Sequence, residues 1–395
     1  MIEIALLGFG TVGKGTYEII KKRSEQIKKV LKDELKVSKI LVRNTAKYKG
    51  EENVFTDDYD EILKDDNISL VCEMTGDLEN SYRYIRDALK AKKHVVTSNK
   101  AVVSENLSYF VDLADENEVN FLFEASVGGS IPIITPLISQ CVINDIHRVR
   151  GILNGTSNFI LSKMYNENLS YEDVLKEAQA LGYAEADPYE DVEGIDALRK
   201  LKILSSIAFC KDIENSEILS EGISSILPVD IEVFKEKGFK IKLVAESFLD
   251  ENKYALIVEP VLVESEDPLY FIEGSNNIVE IFADNYSSLS FMGEGAGKLP
   301  TGNAVVIDII DSLLSNNLKF KLDNTKIKCV GKFKGSYYVR TKEKIDENLL
   351  EEFFERDGFV ISRTKMIDRD KLKMELRKFR DEDCFIARFE REDLA

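Results

Sequence analysis

The chain has 395 residues, with 71 acidic against 53 basic side chains, a formal charge of −18 and 44% apolar content. That length suggests about two to three domains with sizeable cores, and an acidic chain with no basic stripe repels phosphate backbones, which argues against nucleic acid or an anionic membrane as partner. No apolar run approaches the roughly 18 residues that span a bilayer, and the chain enters a strand-like run at Ile2 with no charged leader, so a globular, cytoplasmic protein is expected.

Residues 2–7 form an apolar run of strand length, and Gly8-Phe9-Gly10-Thr11-Val12-Gly13 follows at once, opening a helical stretch over residues 11–31. This is the dinucleotide fingerprint in its strand-turn-helix context. Gly8 permits the tight turn, Gly10 lets backbone approach a pyrophosphate, and Gly13 allows close helix-to-strand packing while helix amides face the anion. A Gly-rich turn in another doubly wound protein has the same local pattern. The second strand, residues 38–42, ends in Arg43, where an NAD-selective site presents an acid to the ribose. Arg43, with Lys47 and Lys49 nearby, favours the 2′-phosphate of NADP, with NAD use still compatible; the other reading leaves Arg43 in solvent. Apolar runs at 68–74, 95–98 and 121–125 alternate with helical segments, the βαβ rhythm of a mostly parallel sheet. Ligands of such sheets gather at the strands' carboxyl ends, which carry Thr75-Gly76, Asn99-Lys100 and the segment 124–132.

The two histidines, His94 and His147, each begin an apolar run of strand character and read as structural, so a His-based mechanism is not expected. The five cysteines are scattered, odd in number and without CxxC spacing. They support neither a disulfide framework nor a zinc site, and are expected to be reduced and mostly buried.

After a strand at 149–153, Asn154-Gly155-Thr156-Ser157-Asn158 leads into a helix whose free amides suit a carboxylate, with the Thr156 hydroxyl as an added donor; a plain N-cap is the alternative. Residues 182–194 then feed a dense set of carboxylates into an apolar helix over 195–209. At about 100° per residue, Ala197, Leu201, Ile203, Leu204, Ile207 and Ala208 share one arc. Asp196 and Lys200 fall inside that arc, while Arg199 and Lys202 lie opposite, where solvent is expected. Desolvating two ions is expensive, so an i,i+4 pair on a packing face points to function; an ion pair merely flanking the core is the competing reading. Strands of a mixed sheet follow at 239–248, 255–263 and 278–282. A Gly-rich segment, 293–301, then precedes a helix over 303–314. After about residue 325 a separate unit is expected, with a strand at 334–341, a helix at 346–356, a strand at 359–367, and alternation through 371–379 and 384–389.

Several of these segments resemble homoserine dehydrogenases. Residues 182–200 match that family's G-Y-A-E-x-D-P-x-x-D-V-x-G-x-D-A-x-x-K at every fixed position. The resemblance implies that Lys200 gives the proton at the reacting carbonyl, that Glu185 and Asp191 hold a substrate ammonium, that Asp196 supports Lys200, and that Tyr183 belongs to the substrate site. Ser98-Asn99-Lys100-Ala101 is similar to the motif of a second catalytic lysine, Lys100, beside the expected nicotinamide; a surface lysine on the first helical turn is the other reading. Residues 124–132 resemble the E-A-S-V-x-G-G-I-P loop that binds a monovalent cation such as Na+ largely through backbone oxygens, implying Glu124, Val127, Gly129 and Ile131. Ser130 stands where that loop often has Gly. Residues 153–158 resemble the L-N-G-T-x-N motif that handles the substrate α-carboxylate, implying Gly155 and Thr156. Residues 293–301 resemble G-x-G-A-G-x-x-P-T, whose chain returns to the nucleotide domain and closes over the cofactor, implying Gly295; an ordinary loop fits equally.

The resemblance spans residues 1 to about 320. The expected fold is α/β: a Rossmann-type doubly wound parallel sheet (1–130 and 293–320), an α+β catalytic and dimerisation domain with a mixed sheet (131–292), and a small, degenerate ACT-like carboxy-terminal domain (325–395) lacking the usual D-x-x-G-V-L-A effector turn. An anion cradle, acids for an ammonium and two lysines together describe a small amino acid with a reacting carbonyl. The implied reaction moves a hydride between NADP (or NAD) and C4 of L-aspartate 4-semialdehyde, giving L-homoserine for threonine and methionine biosynthesis in a homodimer or higher homo-oligomer. Two other readings are a related NADP-dependent amino-acid oxidoreductase and a non-catalytic nucleotide-sensing protein. Retention of Glu185, Asp191, Asp196, Lys200 and Lys100 speaks against the latter.

Overall fold

The computed structural model describes residues 1–48, 54–213, 219–250, 253–323, 328–329, 333–380 and 383–390, which fall into two compact units. The first comprises Met1–Asp145, Lys202–Ile213 and Gly293–Lys326. Its strands β1 (Ile2–Leu7), β2 (Leu35–Leu41), β3 (Phe55–Thr56), β4 (Ile68–Glu73), β5 (His94–Thr97) and β6 (Phe121–Leu122) form a parallel sheet in the order β3-β2-β1-β4-β5-β6. Ile4 to Leu7 are wholly buried, as a strand covered on both faces must be. The order reverses between β1 and β4, which opens a crevice at their carboxyl ends. The helical stretch after β1 is two helices, α1 (Thr11–Lys22) and α2 (Ser24–Leu31), meeting at Arg23.

At that crevice Gly8 has φ +96° and a Cβ there would lie 2.7 Å from the Met74 oxygen; a Cβ on Gly13 would lie 2.3 Å from the Gly8 oxygen. A Cβ on Gly10 would meet no atom within 4 Å, so the space in front of it is open. The remaining helices of this unit are α3 (Tyr59–Leu63), α4 (Leu78–Lys90), α5 (Lys100–Glu116), α6 (Ile134–Gln140) and, returning from the far end of the chain, α12 (Lys298–Leu314). That last helix begins five residues before its expected start and crosses α1 closely: a Cβ on Gly15 would lie 2.1 Å from the Lys298 oxygen.

The second unit comprises Ile146–Leu201, Glu214–Met292 and Ile327–Ala395. Its sheet contains β7 (Ile146–Ile152), β8 (Leu219–Ser220), β9 (Lys240–Asp250), β10 (Lys253–Val263), β11 (Asn276–Ala283), β12 (Tyr286–Glu294), β13 (Lys328–Cys329), β15 (Tyr337–Thr341), β16 (Leu350–Arg356), β17 (Phe359–Thr364) and β19 (Phe385–Phe389). Short β14 (Lys334–Gly335) and β18 (Ile367–Asp368) pair separately. Helices α7 (Gly155–Glu167), α8 (Tyr171–Leu181), α9 (Tyr189–Val192), α11 (Pro228–Lys237) and α13 (Arg369–Leu376) accompany it, and α10 (Ile195–Ala208) begins within it.

One expectation is refined here and one is corrected. The carboxy-terminal segment is continuous with the second unit's sheet: β19 pairs in parallel with β10 and antiparallel with β15, so its strands, in the order β19-β15-β17-β16, extend the mixed sheet. Buried charges hold that seam. Arg388 reaches Glu259 at 2.6 Å and Glu246 at 2.6 Å, and Arg340 meets Asp230 at 2.9 Å, all at most 1% exposed. The predicted helix over 346–356 is instead a 3-10 turn, Glu347–Leu349, followed by β16, six of whose seven residues pair with β17. The hairpin partner β17, reached through the Asp357-Gly358 turn at φ +51° and +77°, overrides the local preference of Glu and Leu for helix. Residue 325 itself lies outside the described residues.

Candidate active site

In the first unit an open cavity of about 430 Å³ follows the fingerprint turn, lined by Gly8, Phe9, Gly10, Arg43, Lys47 and Thr75 among others. Arg43 and Lys47 are exposed there, while Lys49 lies outside the described residues. The Phe9 ring packs edge-on against Phe55 at 5.2 Å and Tyr48 at 5.8 Å, shaping one wall. Asp77, on the same cavity, caps α4 and is held below the usual carboxylate range, chiefly by the Asn80 N–H and also by Arg43.

Beneath the strand ends lies a group the sequence reading missed. Glu73, wholly buried at the end of β4, accepts from the Thr75 N–H at 2.7 Å, the Thr75 hydroxyl at 2.6 Å, the Ser81 hydroxyl at 2.7 Å and the Thr97 hydroxyl at 2.8 Å. Ser81 accepts in turn from Asn99 at 3.0 Å. One carboxylate thus ties the Thr75-Gly76 turn to Asn99, whose side chain caps α5 and sets half-buried Lys100 at its first position. Glu73 is anomalous in an apolar strand run, which is the signal that could have found it.

The segment expected to hold a cation is also built into this unit. The Glu124 carboxylate accepts from the N–H groups of Ile133 at 2.6 Å, Ile134 at 2.7 Å and Thr135 at 2.9 Å, so it caps the start of α6. Gly129 presses on the other Gly-rich loop: its Cβ would lie 2.5 Å from the Gly295 carbonyl carbon. Ser130 donates from both N–H and hydroxyl to the Glu294 oxygen, so the departure from Gly fastens these loops together without a positive φ. Val127 and Ile131 are buried, and among the described residues no group of three or more His, Cys, Asp or Glu side chains could hold a metal ion.

In the second unit Asn154 is the hub. Its side-chain oxygen caps α7 through the Ser157 N–H at 2.8 Å, while its amide nitrogen donates to Asp191 at 2.7 Å and Asp196 at 2.9 Å. Lys200 lies 2.8 Å from Asp196 and donates to the Leu153 carbonyl at 2.7 Å, with side-chain exposures of 9% and 3% for the ion pair. Gly155, Thr156, Asp191, Asp196 and Lys200 are thereby gathered at the end of β7 and the start of α7. A Cβ on Gly155 would lie 2.7 Å from the Ser275 oxygen, so the helix start admits no side chain there. The Thr156 hydroxyl spends its proton on the Tyr183 carbonyl at 2.7 Å, which corrects its expected role as an added donor to an anion. Tyr183 packs its ring on Phe159 at 4.8 Å, and Glu185 extends into solvent from the same loop.

Lys202, expected in solvent, is only 7% exposed. Residues 201–209 are all buried, so the second half of α10 has no solvent face, and the apolar arc is not its only packed side. All five cysteines are thiols, as expected, but only Cys72 is buried outright; the other four are half-buried.

Comparison with known proteins agrees across the chain. The family model described as homoserine dehydrogenase matches residues 132–310, and that for the homoserine dehydrogenase NAD-binding domain matches residues 8–124. The homoserine dehydrogenase of Bacillus subtilis is 37% identical over 312 residues, 78% of this chain and 72% of that protein. That of Synechocystis is 40% identical over 317 residues, 78% of this chain and 73% of that protein. The crystal structure of a homoserine dehydrogenase from Thiobacillus denitrificans superposes with a TM-score of 0.90 at 32% identity, covering 98% of both chains. A hyperthermophilic archaeal homoserine dehydrogenase in complex with NADPH gives 0.69 at 27% identity, covering 80% of this chain and 98% of the other.

Proposed function

The chain belongs to the homoserine dehydrogenase family and is an NAD(P)-dependent oxidoreductase interconverting L-aspartate 4-semialdehyde and L-homoserine; from that premise we propose how its residues divide the work. Lys200 is the proton donor at the C4 oxygen, held by Asp196 and the Leu153 carbonyl so that its ammonium points one way. Asp191, oriented by Asn154, and Glu185 take the substrate ammonium. The N–H groups of Gly155 and Thr156, left over once Asn154 has capped Ser157, take the α-carboxylate. Lys100 adds positive charge toward the developing alkoxide from the first turn of α5.

Bound nicotinamide supplies the hydride. The open face of Gly10 and the amides of α1 suit its pyrophosphate, and Arg43 with Lys47 suits a 2′-phosphate, so NADP is the preferred form. Thr75, Gly76 and Gly295 complete that site. A monovalent cation at Glu124, Val127, Gly129 and Ile131 would be held by backbone carbonyls, since the Glu124 carboxylate is committed to α6. Homodimerisation through the mixed sheet and a cytoplasmic location complete the proposal. Among the described residues no helix is long and apolar enough to cross a membrane.

The observation that carries these roles is the Asp191–Asn154–Asp196–Lys200 cluster at the amino end of a helix, with Asp191 half-buried and the other three buried. NADPH oxidation with L-aspartate 4-semialdehyde, measured for the parent and Lys200→Ala, tests it. Activity of Lys200→Ala within about tenfold of the parent would assign the chemistry to other residues.

A further inference from the structure

Cys141 and Cys210 belong to none of the groups placed at substrate or cofactor. Cys141 caps the carboxyl end of α6, and Cys210 lies two residues beyond α10; both are in the first unit. The Cys141 Sγ lies 3.5 Å from the Ile207 carbonyl oxygen and 3.8 Å from that of Ala208. The Cys210 Sγ lies 3.5 Å from the same Ile207 oxygen. Both sulfurs thus flank one carbonyl oxygen, and both residues are half-buried, within reach of a small oxidant.

The pair is asymmetric. Cys210 sits in a left-handed backbone conformation, φ +51°, that turns the chain out of α10, and Lys211 follows it. The hydrogen bond from Cys141 pulls the Cys210 thiol down to about 7, with Lys211 adding to the effect and burial opposing it. The Cys141 thiol is pushed up by the same hydrogen bond and then by burial. One sulfur is therefore disposed to attack as thiolate while the other keeps its proton.

We propose that Cys141 and Cys210 form a redox modification site, closing into a disulfide between the ends of α6 and α10 when a hydroperoxide is present. The Cys210 thiolate attacks one peroxide oxygen. The O–O bond breaks, and Cys210 is left as sulfenic acid while the other oxygen departs and is protonated to water or an alcohol. The Cys141 sulfur then attacks the Cys210 sulfur; the S–O bond breaks, and a second water leaves with the Cys141 proton. The peroxide gains two electrons, and the two thiols lose two. Sulfurs that each lie 3.5 Å from one carbonyl oxygen are neighbours that side-chain rotation can bring into bonding, and the bond would staple the far end of the helix that carries Asp196 and Lys200.

The test uses the full chain, freed of reductant and exposed to graded hydrogen peroxide, with thiols counted after denaturation and peptides mapped without reduction. Two of the five thiols should disappear together, one Cys141–Cys210 cross-linked peptide should appear, and dithiothreitol should restore all five. In Cys210→Ser, Cys141 should stay reduced at the same dose; in Cys141→Ser, Cys210 should be trapped as sulfenic acid by dimedone. Progress of parent Cys210 to sulfinic acid without a cross-linked peptide would overturn the proposal, as would oxidation of Cys141 in Cys210→Ser at the parental dose. Neither cysteine is placed in the catalytic machinery, so dehydrogenase activity of both reduced variants verifies their folding.

Discussion

Replacing Lys200 by methionine removes the ammonium 2.8 Å from Asp196 while roughly preserving side-chain volume. Asp196, 2% exposed, then keeps the Asn154 amide at 2.9 Å but loses its counter-ion. Breaking a buried pair from one side costs about 3–5 kcal/mol of stability. Loss of a positioned proton donor lowers kcat by about 10²- to 10⁴-fold. A purely structural ion pair would also harm the single variant, so the double variant Asp196→Leu/Lys200→Met separates the two roles. With both charges gone the penalty of a stranded carboxylate disappears, and stability should return to within about 2 kcal/mol of the parent. No proton donor returns with it, so kcat should remain at least about 10² below the parent. Urea unfolding reads the first quantity, and NADPH oxidation under saturating aspartate semialdehyde reads the second. A double variant that regains stability and also turns over within about tenfold of the parent would refute the assignment, showing the pair to be structural.

Arg43→Ala should raise KM for NADP(H) roughly 10- to 150-fold, equivalent to about 1.5–3 kcal/mol for a charge-assisted bond to phosphate, and leave NAD(H) little changed; equal loss for both would mean that Arg43 shapes the loop rather than reads the phosphate. Glu73→Leu strands four donors, the Thr75 N–H and the Thr75, Ser81 and Thr97 hydroxyls, and should lose at least about 4 kcal/mol of stability at about 1–3 kcal/mol per orphaned group. Glu73→Gln keeps an acceptor for three of the four donors, so a comparable loss in urea unfolding of the two variants would contradict that account. Arg388→Met leaves Glu246 and Glu259 buried beside each other and should cost about 3–5 kcal/mol; for the same reason a chain ended near residue 326 should unfold or precipitate, and a stable, fully active truncation would show that the segment is a separate module after all.

The local features were legible because their causes are local. Gly8 answers to its own left-handed turn at φ +96° and Gly13 to the Gly8 oxygen five residues back, and the Asp196/Lys200 pair follows from helical periodicity alone, so neither needed knowledge of the rest of the chain. What sequence could not reveal depends on partners far along the chain. Lys202 is buried because the second half of α10 is enclosed on every side, which no single-helix projection contains. Glu124 resembled a cation-loop residue, yet its carboxylate is directed by the N–H groups of Ile133, Ile134 and Thr135, about ten residues on. Thr156 loses its spare proton to Tyr183, and Asn154 gains its place as hub from Asp191 and Asp196, some forty residues away. The carboxy-terminal strands are the largest case. The sequence pattern marked 334–341 and 359–367 as strands, while 346–356 read as helix and became β16 and 371–379 read as alternating and lies largely in α13; β19 joins β10 because Arg388 finds Glu246 and Glu259 across more than a hundred residues. Periodicity and turn chemistry are properties of short segments and are written in the chain; which edge a strand joins, and which buried charge finds its partner, is decided only when distant segments compete for the same surface.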